Sequence, residues 1–269
     1  MSRLGVIPRY IIPNTPRYLL NGLPLKDYGL FAKTEGLQVG SVTPATSYRS
    51  VPGMYGDYDV TFTNLIGAAF LPRRDVTLTV GTVGAEEDFR TTQLQLGALI
   101  GREVSIRDQF QPGEWVGRLS VDAWDVERND FGCFTQASTV LTVTALPYML
   151  GDKHTTQLPA TKLYVKSNVP VYPQLQVTPT NGSTSPLVLE SKKSDETTYS
   201  RVLKINPNGT WGNITLDVDM ETGLVSEPDG TPYYNLDMST DFWMLTPGLN
   251  DVNITGGVGS IAYKEAWTV

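Results

Sequence analysis

The feature that most constrains this chain is the closeness of its turn punctuation. Between Tyr199 and Trp267 short apolar runs are cut by Asn208-Gly209, Thr222-Gly223, Asp229-Gly230 and Pro247-Gly248. Breakers set so closely leave no stretch long enough for a helix, so the region reads as stacked hairpins. Its clearest piece is Asp241-Phe242-Trp243-Met244-Leu245-Thr246-Pro247-Gly248-Leu249-Asn250, a bulky apolar strand followed by a Pro-Gly turn. A second strand is expected at Val252 to Thr255, and an alternating one from Ile261 to Val269.

Upstream, apolar flanks around Asn21-Gly22 predict a first hairpin within residues 17–31, because both residues tolerate positive φ. Residues 34–59 are rich in Gly, Ser and Thr and supply little core. They form either a flexible loop, which the length favours, or an extended arm bonded to another subunit. Period-two alternation predicts half-buried strands at Asp59 to Thr63 and Asp75 to Val80. After Gly84, Glu86, Glu87 and Asp88 sit where carboxylates favour a helix N-terminus, with Phe89, Leu96 and Leu99/Ile100 at helical spacing. A strand at Val104 to Arg107, a Pro112-Gly113 turn and a return strand to Val121 follow. Ser138 to Leu146 is the most regular β segment.

From Asp152 to Asn168 the composition turns polar, which sets the expected domain boundary near residue 152, and Ser191 to Thr198 reads as a charged surface loop. No helical period of useful length appears after residue 101, so the second half is expected to be an antiparallel sandwich. A chain of 269 residues with 40% apolar content has room for two such domains.

Charge and residue usage exclude several activities. A formal charge of -7 and a pI near 4.8 oppose a phosphate-gripping surface. The single cysteine, Cys133, rules out an internal disulfide framework and a multi-cysteine zinc site, and reads as a small buried residue. The N-terminal stretch, broken by Pro8, Pro13 and Pro16, is not expected to act as a signal segment, and no apolar run predicts a membrane helix. Without such a signal the sequons at Asn181, Asn208, Asn213 and Asn253 read as turn chemistry. His154 would have to serve any Ser-His or Cys-His mechanism, yet it sits in the polar linker. Neither a phosphate loop nor a dinucleotide fingerprint occurs, so no catalytic residue and no cofactor is expected.

Two further sets deserve weighing. Period two places Asp217, Asp219 and Glu221 on one face of a strand, where carboxylates can bind calcium or act on a sugar, although a solvated sheet face accounts for the same pattern. Trp211, Tyr233, Tyr234, Phe242 and Trp243 could form a saccharide-stacking platform, of which Trp211, Tyr233, Tyr234 and Trp243 are the candidates retained. Core or subunit interface is the commoner fate of strand aromatics.

Taken in order, these segments resemble the distal tail proteins of long, flexible-tailed bacteriophages and prophages. The resemblance rests on Asn21-Gly22 with Asp27-Tyr28-Gly29-Leu30, Val51-Pro52-Gly53-Met54-Tyr55-Gly56-Asp57, Arg73/Arg74 and the helix after them, and Val143-Thr144-Ala145-Leu146-Pro147-Tyr148. In the second half it rests on Tyr172-Pro173-Gln174-Leu175-Gln176-Val177, Ile214 to Asp217 with Thr222-Gly223, Leu245 to Asn250, and Ala262 to Trp267. It implies a mainly β protein with a tail-tube-like domain and one helix at 1–152, an inter-subunit arm at about 34–59, and a galectin-like sandwich at 153–269. It further implies a hexameric ring, without enzymatic activity, joining a tail tube protein to a tail-associated lysin or fibre protein around a channel for DNA. Such a protein belongs to the virion tail tip and is assembled in the bacterial cytoplasm. The competing reading is a carbohydrate-binding module that recognises host wall saccharide through the sandwich.

Overall fold

The computed structural model describes residues 17–50, 56–63, 69–195, 201–237 and 239–268. It is mainly β with one α-helix among the described residues, and divides into two compact units, Met1–Pro147 and Tyr148–Val269. All strand pairings recorded are antiparallel.

The first unit holds β1 (Tyr18–Leu20), β2 (Leu23–Pro24), a 3-10 turn (Leu25–Tyr28), β3 (Phe31–Val39), β4 (Tyr48–Ser50), β5 (Asp57–Asp59), β6 (Arg74–Val83), α1 (Glu86–Gly97), β7 (Glu103–Asp108), β8 (Trp115–Val121), β9 (Asp125–Arg128) and β10 (Phe134–Ala145). Its main sheet runs β2-β1-β7-β8-β10-β6-β3, with β9 beside the first half of β10. Asn21 and Gly22, at φ 51° and 76°, close the β1–β2 hairpin in the left-handed conformation that a two-residue turn requires. Alternation on β6 buries Val76, Leu78 and Val80, and on β10 Leu141, Val143 and Ala145, so both strands give one face to the core.

Helix α1 begins where Asp88 accepts the Ala85 N–H at 3.2 Å, and buries Phe89, Thr92 and Leu96. The Phe89 ring stacks on Phe134 at 5.0 Å and meets Trp124 edge-on at 5.1 Å, which pins the helix to the start of β10. Thr92 Oγ1 donates to the Tyr28 carbonyl at 3.0 Å. At the other end of the sheet Trp115 is fully buried under the Arg74 guanidinium, 5.2 Å from its ring. Burial lowers the pKa of that guanidinium.

The second unit holds β11 (Met149–Leu158), β12 (Ala160–Val165), β13 (Gln174–Pro179), β14 (Leu187–Lys193), β15 (Arg201–Ile205), β16 (Leu216–Asp219), β17 (Leu224–Ser226), β18 (Gly248–Thr255) and β19 (Gly257–Trp267). They form a five-stranded sheet, β11-β19-β13-β16-β17, and a four-stranded sheet, β12-β18-β14-β15. Leu175, Val177, Leu216, Val218 and Ile261 from the first and Leu187, Leu189, Leu203, Ile205 and Val252 from the second join one buried cluster, as in a β-sandwich. Each such side chain contributes about 1.5–3 kcal/mol. The Pro247-Gly248 turn is fixed by Asn250, fully buried, whose Nδ2 donates to the Thr246 and Gly248 carbonyls at 2.7 and 3.1 Å.

Several expectations need correction. Asp59 to Thr63 is not a half-buried strand: β5 ends at Asp59 and pairs only with β4, away from any buried face. Residues 152–168 are not a linker, because β11 pairs with β19 and β12 with β18, so the units divide at Pro147/Tyr148 rather than near 152. Ser191 to Lys193 belong to β14, with Ser191 fully buried, and only the turn at Ser194 and Asp195 is described of the expected loop beyond them. Asp241 to Pro247 is irregular apart from a bridge between Leu245 and Val171, since Trp243, Met244 and Leu245 fill the core consecutively instead of alternating. Tyr199 and the Val51 to Tyr55 passage lie outside the described residues. Cys133 is exposed, being in a hairpin turn rather than in a strand.

Candidate assembly surface

Apolar side chains left in water distinguish the two units. Among the described residues the first unit exposes ten large apolar side chains, Phe62, Phe110, Phe131 and Leu94 foremost, against five in the second. Scattered exposure is ordinary, but aromatic rings held outside a core are what subunit interfaces are made from.

Residues 40–73 carry this furthest. None of the residues in that range whose burial is described is buried, and β4 and β5 form a two-stranded sheet of their own. The segment leaves the sheet after Gly40, whose N–H donates to the Asp75 carbonyl at 2.8 Å, and re-enters at β6. Its internal order comes from Asp59, which accepts the Thr61 N–H at 2.9 Å, and from a bridge between Thr63 and Ala69. Hydrogen bonds from Thr61 lower the Asp59 pKa. An isolated two-stranded ribbon is marginal in water.

The sequence-derived sites are distributed differently. Trp211 and Trp243 are buried and offer no ring face to a saccharide; Trp211 Nε1–H donates to the Ser185 carbonyl at 2.8 Å. Tyr233 lies 5.8 Å from the Trp211 ring and its hydroxyl donates to the Asn206 carbonyl at 2.6 Å; burial raises its pKa. Tyr234 alone of the four is exposed, at 84%, so no platform is assembled. Alternation in strands predicts neighbours of opposite orientation, and Tyr233 and Tyr234 obey it although their loop is irregular.

Asp217 and Asp219 share a face of β16 opposite buried Leu216 and Val218. Glu221 leaves that face, because Asp219 Oδ1 accepts the Glu221 and Thr222 N–H groups at 2.9 and 3.3 Å and turns the chain. Gln176 Nε2 donates to Asp217 at 3.1 Å, and these groups line a shallow depression of about 560 Å³ with Gln174, Ser260 and Lys153. Among the described residues no group of three or more His, Cys, Asp or Glu side chains is placed to hold a metal ion. His154, expected in a linker, lies on β11, stacked 5.4 Å from the Tyr263 ring and 3.8 Å from the Glu265 carboxylate. No helix among the described residues is long and apolar enough to cross a membrane.

The exposed phenylalanines escaped sequence reasoning, although a signal was present. Phe110 and Phe131 sit in Gln109-Phe110-Gln111-Pro112-Gly113 and Asn129-Asp130-Phe131-Gly132, turn sequences rather than apolar strands.

Comparison with known proteins supplies context. Residues 166–267 match the family described as siphovirus-type tail component, C-terminal domain. The crystal structure of SPP1 Dit, described as a paradigm of the hub adsorption apparatus in phages infecting Gram-positive bacteria, shares the fold. The TM-score is 0.64 at 17% identity, over 93% of this chain and 98% of that one. A chain of the phage P2 baseplate in its activated conformation with calcium gives a TM-score of 0.40 at 9% identity, over 87% and 90% of the two chains. No curated protein matches the chain by sequence.

Proposed function

Because residues 166–267 match the siphovirus-type tail component family, we propose that the chain is the structural hub of a phage tail tip. Copies of the first, tail-tube-like unit close into a hexameric ring around the DNA channel. The ring joins the tail tube protein to a tail-associated lysin or fibre protein, in a virion assembled in the host cytoplasm. The second unit is a galectin-like sandwich carried on that ring, and the protein acts by architecture, not catalysis.

The observation that carries this reading is the uncovered segment at 40–73, which buries none of its residues whose burial is described and therefore gains stability only against a neighbour. Edge strands closed by neighbouring subunits also cease to be open templates for aggregation. Native mass spectrometry tests it: the wild-type chain gives a closed ring, alone or with the tube protein. A chain with a Gly-Ser linker in place of Tyr48–Asp59 stays monomeric and keeps its β-sheet circular dichroism. A wild-type chain that remains monomeric with the tube protein present ends the hub reading.

A further inference from the structure

The outer face of the five-stranded sheet carries two rows of mostly polar side chains that the hub role does not use. The pairings of β11, β19, β13, β16 and β17 align Thr155, Ala262, Gln174, Asp219 and Leu224 across the sheet in one row. Two residues away along their strands, Ser260, Gln176, Asp217 and Ser226 form a second. Four strand spacings make the first row about 19 Å long, and the rows lie about 7 Å apart. Both line the shallow depression of about 560 Å³, with Lys153 on its β11 side. The middle strand, β19, contributes only the short side chains of Ser260 and Ala262, while the longer Gln174, Gln176 and Lys153 stand on the strands to either side.

The hydrogen-bonding capacity of this face is largely uncommitted. Asp219 Oδ1 accepts the Glu221 and Thr222 N–H groups, and Asp217 Oδ1 accepts from Gln176 Nε2, which leaves the second oxygen of each carboxylate open. Among the described residues the side chains of Thr155, Gln174, Ser226 and Ser260, all of which line the depression, have no hydrogen-bond partner. Such a face offers carboxylate acceptors, hydroxyl groups that donate and accept, and amides that do both.

These groups fix the class of ligand. Lys153 is the single cation against Asp217 and Asp219, so a phosphate or uronate polymer is repelled. None of the lining residues is aromatic, so recognition rests on hydrogen bonds and not on stacking. Asp219 pairs across the strands with Gln174 and Asp217 with Gln176, and each pair matches two adjacent hydroxyl groups, the carboxylate accepting from one and the amide serving the other. We infer that this face binds a neutral oligosaccharide laid across the strands, with its hydroxyl groups on the two Asp–Gln pairs. The site is separate from the aromatic residues weighed as a stacking platform, and it stands whether or not the chain closes into a ring. A shallow site of this kind is weak singly, and repetition around a ring multiplies it.

Saturation-transfer NMR on the purified full chain tests the site, with neutral trisaccharides of glucose, galactose, rhamnose and N-acetylglucosamine as probes and trigalacturonate as the charged control. At least one neutral probe should receive saturation from the protein, and trigalacturonate none. Titration of that probe should show about tenfold weaker binding for Asp217→Ala and for Gln174→Ala, and no detectable binding for Ser260→Trp, whose indole fills the floor. Tyr234→Ala should bind as the wild type does, and all four variants should keep the wild-type circular dichroism. Silence from all four neutral probes overturns the inference and leaves the hub reading standing. Binding that survives Asp217→Ala, Gln174→Ala and Ser260→Trp overturns it too, because the sugar then sits elsewhere, and so does trigalacturonate binding as tight as that of the neutral probes.

Discussion

The second unit packs its large apolar side chains on itself, whereas the first leaves many of them exposed. Trp211 and Trp243, the two tryptophans between β15 and β18, are buried in one sandwich cluster, and both sheets contribute to it. The first unit pins its helix to the start of β10 through Phe89, and exposes Phe62, Phe70, Phe110 and Phe131. A closed core makes a unit stable alone; a partly covered one makes stability depend on assembly. The contrast therefore predicts different responses to equivalent damage.

The largest effect falls on the closed core. Trp243→Ala removes a side chain that is 1% exposed, and truncations of this kind cost about 3–5 kcal/mol. Thermal unfolding should show a lowered transition for the second unit with the first unit's transition unmoved. A single transition that shifts as a whole would mean that the two units unfold together.

The next effect tests the sheet of the first unit. A Cβ at Gly117 would overlap the backbone of Thr144 and Ala145, directly across the β8–β10 pairing. Gly117→Ala should destabilise the first unit by about 1–3 kcal/mol, and a covering ring should recover part of that loss by mass action. Melting measured at rising protein concentration reads the recovery; a melting point independent of concentration would contradict it.

Acid should separate the units more mildly. Hydrogen bonds hold the Asp229, Asp237 and Asp251 carboxyls of the second unit below their ordinary values, foremost from the Thr231 N–H, the Ser239 hydroxyl and the Lys162 N–H. In the first unit Arg128 does the same for Glu86, and Thr61 for Asp59. A depressed carboxylate stabilises the fold above its unfolded pKa, near 4 for Asp, and loses that contribution as pH falls through its folded pKa. Asp251→Asn should therefore lower the second unit's melting point at neutral pH and converge with wild type in acid. Curves that stay parallel through the acid range would show that the Lys162 contact is not what depresses Asp251.

What the sequence revealed follows the same division. Turn chemistry was legible wherever a local rule governs the backbone: Asn21-Gly22 closes its hairpin, and Glu86 to Asp88 open α1. The Asp59 to Thr63 alternation misled because period two reports which way side chains point, not whether a second layer exists to cover them. Residues 152–157 looked like a linker because their strand has an open edge and every one of them is exposed, so no apolar alternation was required of them. The saccharide candidates follow the same logic, since aromatic content cannot tell a core from a platform. Trp243 filled the sandwich and only Tyr234 reached water.

The smallest effect on the folded chain is the most informative about the comparison. Phe62 and Tyr234 are equally exposed, at 84%, one in each unit, so truncating either removes almost no buried contact. Phe62→Ala and Tyr234→Ala should each change monomer stability by no more than about 0.5 kcal/mol. Their assembly should diverge, because Phe62 follows the β4–β5 ribbon, which buries none of its residues whose burial is described, while Tyr234 belongs to a loop already bound to its own unit. Asn206 N–H donates to the Asn235 carbonyl at 2.8 Å, and Asn235 Nδ2 donates to the Pro207 carbonyl at 2.9 Å. Native mass spectra should thus show fewer closed rings for Phe62→Ala and an unchanged distribution for Tyr234→Ala. Equal ring populations in both variants would place the neighbour's contact elsewhere on the first unit, and loss of rings in Tyr234→Ala alone would transfer the assembly surface to the sandwich.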